Sequence, residues 1–175
     1  MSWRSQGQPG HKPARRKRSL KADGTPRRRP IDWEGQEQAA LMMWLRGEAH
    51  RGTAVAPAHD NTYAVPNGGS RHGKEAGKMK AQGVRAGVSD LVIAVPRGGY
   101  HGLYLELKAT PPHDSALSPL QREWLAQMES AGYCAALARG IDEARAVITE
   151  YMSRPATQVV GEPLALENGT DWRGN

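Results

Sequence analysis

Asp90-Leu91-Val92-Ile93-Ala94-Val95-Pro96-Arg97-Gly98-Gly99-Tyr100-His101-Gly102-Leu103-Tyr104-Leu105-Glu106-Leu107-Lys108 is the stretch from which the fold can be read. Its first arm, Asp90 to Val95, is rich in β-formers. Pro96-Arg97-Gly98-Gly99 turns the chain, and Gly102 to Lys108 brings it back, so the pattern predicts an antiparallel hairpin. The return arm alternates strictly: Leu103, Leu105 and Leu107 face one way, Tyr104, Glu106 and Lys108 the other.

Working outward, Ser118-Pro119-Leu120-Gln121 has the spacing of a capping box with proline at the first helical position. It opens a helix whose expected buried stripe is Leu120, Trp124, Met128 and Ala131, ending at Gly132. Tyr133 to Ala138 reads as a strand and Ile141 to Met152 as a last helix, with Ala144, Val147, Ile148 and Tyr151 inward. Upstream, Trp33 to Glu48 reads as a helix with Ala40, Leu41, Trp44 and Leu45 as its apolar stripe, loosened by Gly47. Thr62-Tyr63-Ala64-Val65 is extended and runs into the turn Pro66-Asn67-Gly68-Gly69. Lys74 to Gln82 is a short basic helix. The order α, β, α, β, β, α, β, α predicts one α/β domain with a mixed sheet, because the hairpin forces an antiparallel pair.

Charge is divided unevenly along the 175 residues. Residues 1–30 hold ten Lys/Arg, Arg15, Arg16, Lys17 and Arg18 among them, against Asp23 alone, a net of +9. The remainder holds 14 Lys/Arg against 17 Asp/Glu, a net of −3. Residues 1–30 have almost no large apolar side chains, so they are expected to be a disordered basic tail. The folded domain is expected over 31–153, with 154–175 a loosely ordered tail. No apolar run approaches the ~18 residues of a membrane span, and the first 30 residues lack the apolar stretch of a secretory signal. The single cysteine, Cys134, excludes an internal disulfide framework and fits a reducing compartment. A cytoplasmic, nucleic-acid-facing protein is the expectation.

Chemistry-bearing residues gather on the hairpin. Residues two apart on a strand share a face, so Glu106 and Lys108 project side by side. Alone, that pattern equally describes a solvated strand face. Asp90 changes the balance: antiparallel pairing puts the start of one arm beside the end of the other, bringing Asp90 to Glu106 and Lys108. Two adjacent carboxylates repel unless a proton or cation lies between them, and such oxygen ligands suit Mg²⁺. A lysine beside the cation can orient or deprotonate a water and offset charge on phosphate.

On the first helix, Glu34, Gln38, Leu41 and Leu45 fall on one stripe at ~100° per residue. Two readings of Glu34 stand: a carboxylate directed into the same cluster, or a first-turn acid favoured by the helix dipole. Glu37 lies ~60° off that stripe and is expected to face solvent. The six histidines lack zinc-ligand spacing.

These residues resemble the VRR-NUC domain, a compact branch of the PD-(D/E)XK nuclease superfamily, in its stand-alone phage form. Glu34 to Gln38 resembles that family's Glu-x-x-x-Gln opening helix, followed by Trp44-Leu45. Pro66-Asn67-Gly68-Gly69 is similar to its Pro-Asn-Gly-Gly turn, and Gly83 to Asp90 to its Gly-Val-x-x-Gly-Val-Pro-Asp segment. Gly98 to Leu103 leading into Leu105-Glu106-Leu107-Lys108, Leu117 to Gln121, and Gly132-Tyr133 complete a set covering roughly residues 34–152. Ser89 departs from the pattern by standing at the proline position. The resemblance implies a restriction-endonuclease-like fold and a Mg²⁺- or Mn²⁺-dependent DNA endonuclease. It implies Asp90, Glu106 and the Leu107 carbonyl as metal ligands, Lys108 as catalytic lysine, Glu34 as helix acid and Gln121 as an active-site glutamine. It further implies a homodimer acting on branched DNA such as four-way junctions, in the host cytoplasm if phage-encoded.

Gln121 serves a capping box as readily as an active site. Asn67 belongs to a turn, with a phosphate contact by it and Arg71 as the functional reading. Lys74, Lys78, Lys80 and Arg85 form either a solvated face or a contact with the DNA backbone, to which the basic tail would add salt-dependent affinity. Two other functions compete: a DNA-binding protein on an inactive nuclease fold, and an interaction protein whose basic tail binds RNA, packaged DNA or an acidic partner.

Overall fold

The computed structural model describes residues 30–65 and 73–161. Pro66-Asn67-Gly68-Gly69, Arg71 and the basic cluster Arg15, Arg16, Lys17 and Arg18 lie outside them. Nine elements follow in the described residues: α1 (Trp33–Arg51), α2 (Ala56–Asp60), β1 (Thr62–Ala64), α3 (Gly73–Ala81), β2 (Leu91–Ile93), β3 (Leu103–Lys108), α4 (Pro119–Ser130), β4 (Cys134–Arg139) and α5 (Gly140–Ser153). The expected order holds, with the short helix α2 added. Among the described residues no helix is long and apolar enough to cross a membrane.

The strands form one mixed sheet in the order β1-β2-β3-β4. The hairpin pairs Leu91 with Leu105 and Ile93 with Leu103. β1 adds a second antiparallel pair on β2. β4 returns parallel to β3 after the α4 crossover, with Glu106 opposite Leu137 and Lys108 opposite Arg139. The alternation on β3 does what the sequence demands: Leu103, Leu105 and Leu107 are fully buried. They join Leu41 and Leu45 of α1, Leu91 and Ile93 of β2, and Ala144, Ile148 and Tyr151 of α5 in one core. The other face of β3 meets α4, where the Tyr104 ring stands edge-on to Trp124 and to Tyr133.

Three local expectations are corrected. Helix α1 does not end at Gly47 and Glu48 but runs to Arg51, where Gly52 takes the left-handed conformation (φ 64°) that a C-cap favours. An interior glycine costs only about 1 kcal/mol, and the turn beyond it is tied by Thr53 Oγ1 donating to Glu48 Oε2 at 2.6 Å. Helix α2 escapes periodicity because it has five residues. It forms around the Pro57 start and buries Ala58 against α1, with Val55 just before it. On α4, Leu120 is 52% exposed and Ala131 is exposed, so of the expected stripe only Trp124 and Met128 turn inward, with Leu125 half-buried beside them.

Leu120 turns outward because its backbone is occupied by the loop before β2. Gly87 has φ 85°, and a Cβ there would stand 2.6 Å from the Leu120 carbonyl carbon and oxygen. That close approach sets where α4 begins relative to Asp90. The segment after α5 is also tied down: Gly98 N–H donates to Pro155 O at 2.8 Å, and Thr157 Oγ1 donates to Tyr100 O at 3.0 Å.

Replacing Gly87 by alanine forces either the backbone strain of a positive φ, of the order of 1–3 kcal/mol, or a shift of α4. The expected outcome is a thermal midpoint lower by roughly 5 °C or more. Calorimetry showing an unchanged midpoint contradicts the close approach.

Candidate active site

At its C-terminal end β3 buries both faces. Glu106 is fully buried and Lys108 is 5% exposed, and Lys108 Nζ donates to Glu106 Oε1 at 2.8 Å. Their shared face, expected from strand periodicity, is therefore real, and it is not a solvated one. Burying such a pair is costly unless further hydrogen bonds satisfy it.

Asp90 arrives as the hairpin geometry requires. The register that sets Leu91 opposite Leu105 continues to Asp90 beside Glu106. Its carboxylate Oδ2 accepts the Leu107 N–H at 3.0 Å, while its backbone carbonyl accepts from Val65 N–H at 2.8 Å. The Asp90 side chain thus stands where a further ladder residue would be, fixed against the backbone of the proposed ligand Leu107.

Glu34 resolves toward the cluster. It is half-buried, and its Oε2 lies 3.9 Å from Lys108 Nζ. Gln121 proves to fill both of its readings at once. Its Oε1 accepts the Ser118 N–H at 2.9 Å, and Ser118 Oγ accepts the Gln121 N–H at 3.2 Å, closing the capping box. Its Nε2 donates to Glu106 Oε1. The cap therefore aims the amide at the carboxylate.

Glu37 is corrected. It does not face solvent: its Oε1 accepts the Thr110 N–H at 2.9 Å, tying α1 to the chain just past β3. Helical periodicity could not show this, since the donor lies 73 residues away. Lys78, Lys80 and Arg85 are exposed on and just after α3, and Lys74 belongs to the same helix. His101 sits at the far end of β3, edge-on to Tyr133.

The electrostatics follow from burial. Desolvation pushes the Glu106 carboxyl up to about 7, opposed by the Lys108 hydrogen bond and reinforced by Asp90 and Glu34. Burial also raises Asp90, against the Leu107 N–H and Lys108. Glu34 is raised by burial, with Lys108 opposing and Asp90 adding. Burial works against the Lys108 ammonium, yet the Glu106 hydrogen bond and the three surrounding carboxylates hold it above the ordinary lysine range.

Among the described residues no group of three or more His, Cys, Asp or Glu side chains is arranged to hold a metal by itself. The residues present still fit a hard divalent cation. Asp90, Glu106 and the Leu107 carbonyl are all oxygen donors, and Mg²⁺ is commonly held by one or two carboxylates while keeping several waters. Glu106 Oε2 is buried with no hydrogen-bond partner, a ligand atom without another occupation.

A family model described as the VRR-NUC domain matches residues 32–142. The chain belongs to the VRR-NUC domain family. A solved structure described as a VRR_NUC domain protein is similar at 31% identity and a TM-score of 0.60, over 74% of this chain and 99% of that one. No curated protein matches. VRR-NUC domains are nuclease domains, generally directed at DNA and generally using divalent metals. The mixed sheet with flanking helices is the VRR-NUC fold expected from the sequence.

A carboxyl whose pKa is higher folded than unfolded contributes stability that is fully present below the unfolded value and lost as pH rises through the folded one. For Glu106 that window runs from 4.5 to about 7, and Asp90 and Glu34 act in the same direction. In chelator-treated protein the thermal midpoint is expected to fall across this window by roughly 5 °C or more. Glu106→Gln should flatten the slope; an identical slope in that variant contradicts the assignment.

Proposed function

We propose that this VRR-NUC domain is a Mg²⁺- or Mn²⁺-dependent DNA endonuclease, with Asp90, Glu106 and the Leu107 carbonyl holding the cation and Lys108, Glu34 and Gln121 completing the site. The observation that carries the reading is the buried Glu106, gripped through Oε1 by Lys108 and Gln121 while Oε2 is left without a partner. When bound, the cation supplies polarisation of the scissile phosphate and charge stabilisation of the leaving oxygen.

The side chains supply the rest. A lysine held above its ordinary range stays protonated at neutral pH, so Lys108 serves as a donor that orients the attacking water and offsets phosphate charge. Glu34, with its raised carboxyl 3.9 Å from that ammonium, is the group placed to accept the water's proton. Gln121 fixes the rotamer of Glu106. Lys74, Lys78, Lys80 and Arg85, together with Asn67 and Arg71, would contact phosphates. Residues 1–30, with Arg15, Arg16, Lys17 and Arg18, would add affinity by counterion release. Branched DNA is the proposed substrate, and a homodimer would present two sites for paired cuts across a four-way junction.

A binding protein on an inactive nuclease fold has no need of a buried carboxylate held against a lysine, a glutamine and a second acid, so the site favours cleavage. The test is incubation with linear, flapped and four-way-junction DNA, with and without Mg²⁺ or Mn²⁺. Cation-dependent cutting is expected, lost at least a hundredfold in Asp90→Asn and in Lys108→Ala (~3 kcal/mol) while DNA binding persists. Full cutting by either variant, or gel shifts without cutting under any cation, overturns the reading.

A further inference from the structure

The aromatic pair at the rim of this site has no part in the chemistry above. Trp33 and His113 lie face to face, with ring centroids 4.4 Å apart and planes 8° from parallel. Trp33 is 39% exposed, and His113 is exposed. Two aromatic rings stacked only to hold a loop would gain most by being covered; here the stack is covered only in part.

Its place is set from both sides. Trp33 immediately precedes Glu34, whose Oε2 is 3.9 Å from Lys108 Nζ. His113 belongs to the loop leaving β3, whose start is fixed by Thr110 N–H on Glu37 and which closes with His113 N–H donating to Thr110 O at 3.0 Å. The surroundings offer a phosphate chain little charge attraction. Glu34, Asp90 and Glu106 are acidic, Lys108 is taken by Glu106, and the nearby Arg139 is paired with Asp114 at 3.2 Å. At this point of the site a strand gains from an attraction that does not depend on charge, and stacking of a base on an aromatic face is one.

We propose that the Trp33–His113 stack is a binding platform for an unpaired nucleobase next to the cleaved phosphate. The inference rests on the endonuclease reading for the meaning of that neighbourhood and deepens it in one respect. A base within a duplex already has both faces covered, so the platform selects DNA with an unstacked base, as in a single-stranded flap or at the opened centre of a junction.

The test separates base from phosphate and uses binding rather than cleavage. The 175-residue protein carrying Glu106→Gln is titrated with a short oligothymidylate and with an abasic strand of equal phosphate number, by fluorescence anisotropy. The oligothymidylate should bind at least about fivefold tighter, the lower end of what one stacked base contributes, and quench tryptophan fluorescence. Trp33→Ala should remove the preference, Trp33→Phe should restore most of it, and His113→Ala should weaken it. The exposed His113 side chain can be removed without touching the helix cap or the core, so this arm stands even if Trp33→Ala unfolds. Equal binding of the two strands by the parent protein, or a preference unchanged in Trp33→Ala or in His113→Ala, overturns the platform. If the preference behaves as expected while the protein with Glu106 intact cuts no DNA under any cation, the platform stands and the endonuclease reading alone is refuted.

Discussion

A carboxylate and an ammonium are buried side by side on a strand whose opposite face is entirely leucine, and the rest of the site depends on that arrangement. Burial of Leu103, Leu105 and Leu107 contributes on the order of 5–9 kcal/mol, enough to hold β3 in place while its other face carries Glu106 and Lys108. An ion pair taken out of water is weak evidence for stability, since a packed apolar pair would often serve as well. Here the surrounding groups do not neutralise it fully. Lys108 and Gln121 both address Glu106 Oε1, and the remaining oxygen is left over. That asymmetry leaves Glu106 one oxygen for a further partner.

The site is assembled from elements distant in sequence by backbone donors at strand ends. Past Leu105 the β2–β3 ladder stops, and Asp90 accepts the Leu107 N–H in its place. One step further, Glu37 of α1 accepts the Thr110 N–H. On α4 the capping box orients Gln121, and Gly87 admits the Leu120 backbone closely enough for that cap to lie over Glu106. Asp90 and Gln121 thus each satisfy a main-chain group as well as facing the cluster, so substitutions at these two act on placement and on polarity together.

Much of this was legible in the sequence because it rests on period and pairing. Strand alternation put Glu106 and Lys108 on one face. Hairpin arithmetic brought Asp90 to them, and helical spacing put Glu34 on the stripe with Leu41 and Leu45. What escaped depends on partners that no local window contains. Glu37 looked solvent-facing because its acceptor role is set by Thr110, past the third strand. Leu120 looked buried because apolar spacing cannot register that Gly87 claims the space behind its backbone. Gln121 presented two roles as alternatives, whereas an amide with a donor at one end and an acceptor at the other fills both. The stack of Trp33 on His113 joins residues 80 positions apart, and neither carries a local signal.

The charge balance of the cluster explains why these features belong together. Glu34, Asp90 and Glu106 outnumber Lys108, so with all three ionised the site repels a phosphate. Burial raises all three carboxyls, which favours their protonated forms and lessens that excess. A divalent cation relieves the same excess differently, since it neutralises the acids while leaving net attraction for an incoming phosphate. Protons and cation therefore compete for the same oxygens. An acidic pocket that must receive a polyanion gains from contacts indifferent to charge at its rim, and exposed aromatic rings beside Glu34 meet that need where another lysine would only pair with the acids already there.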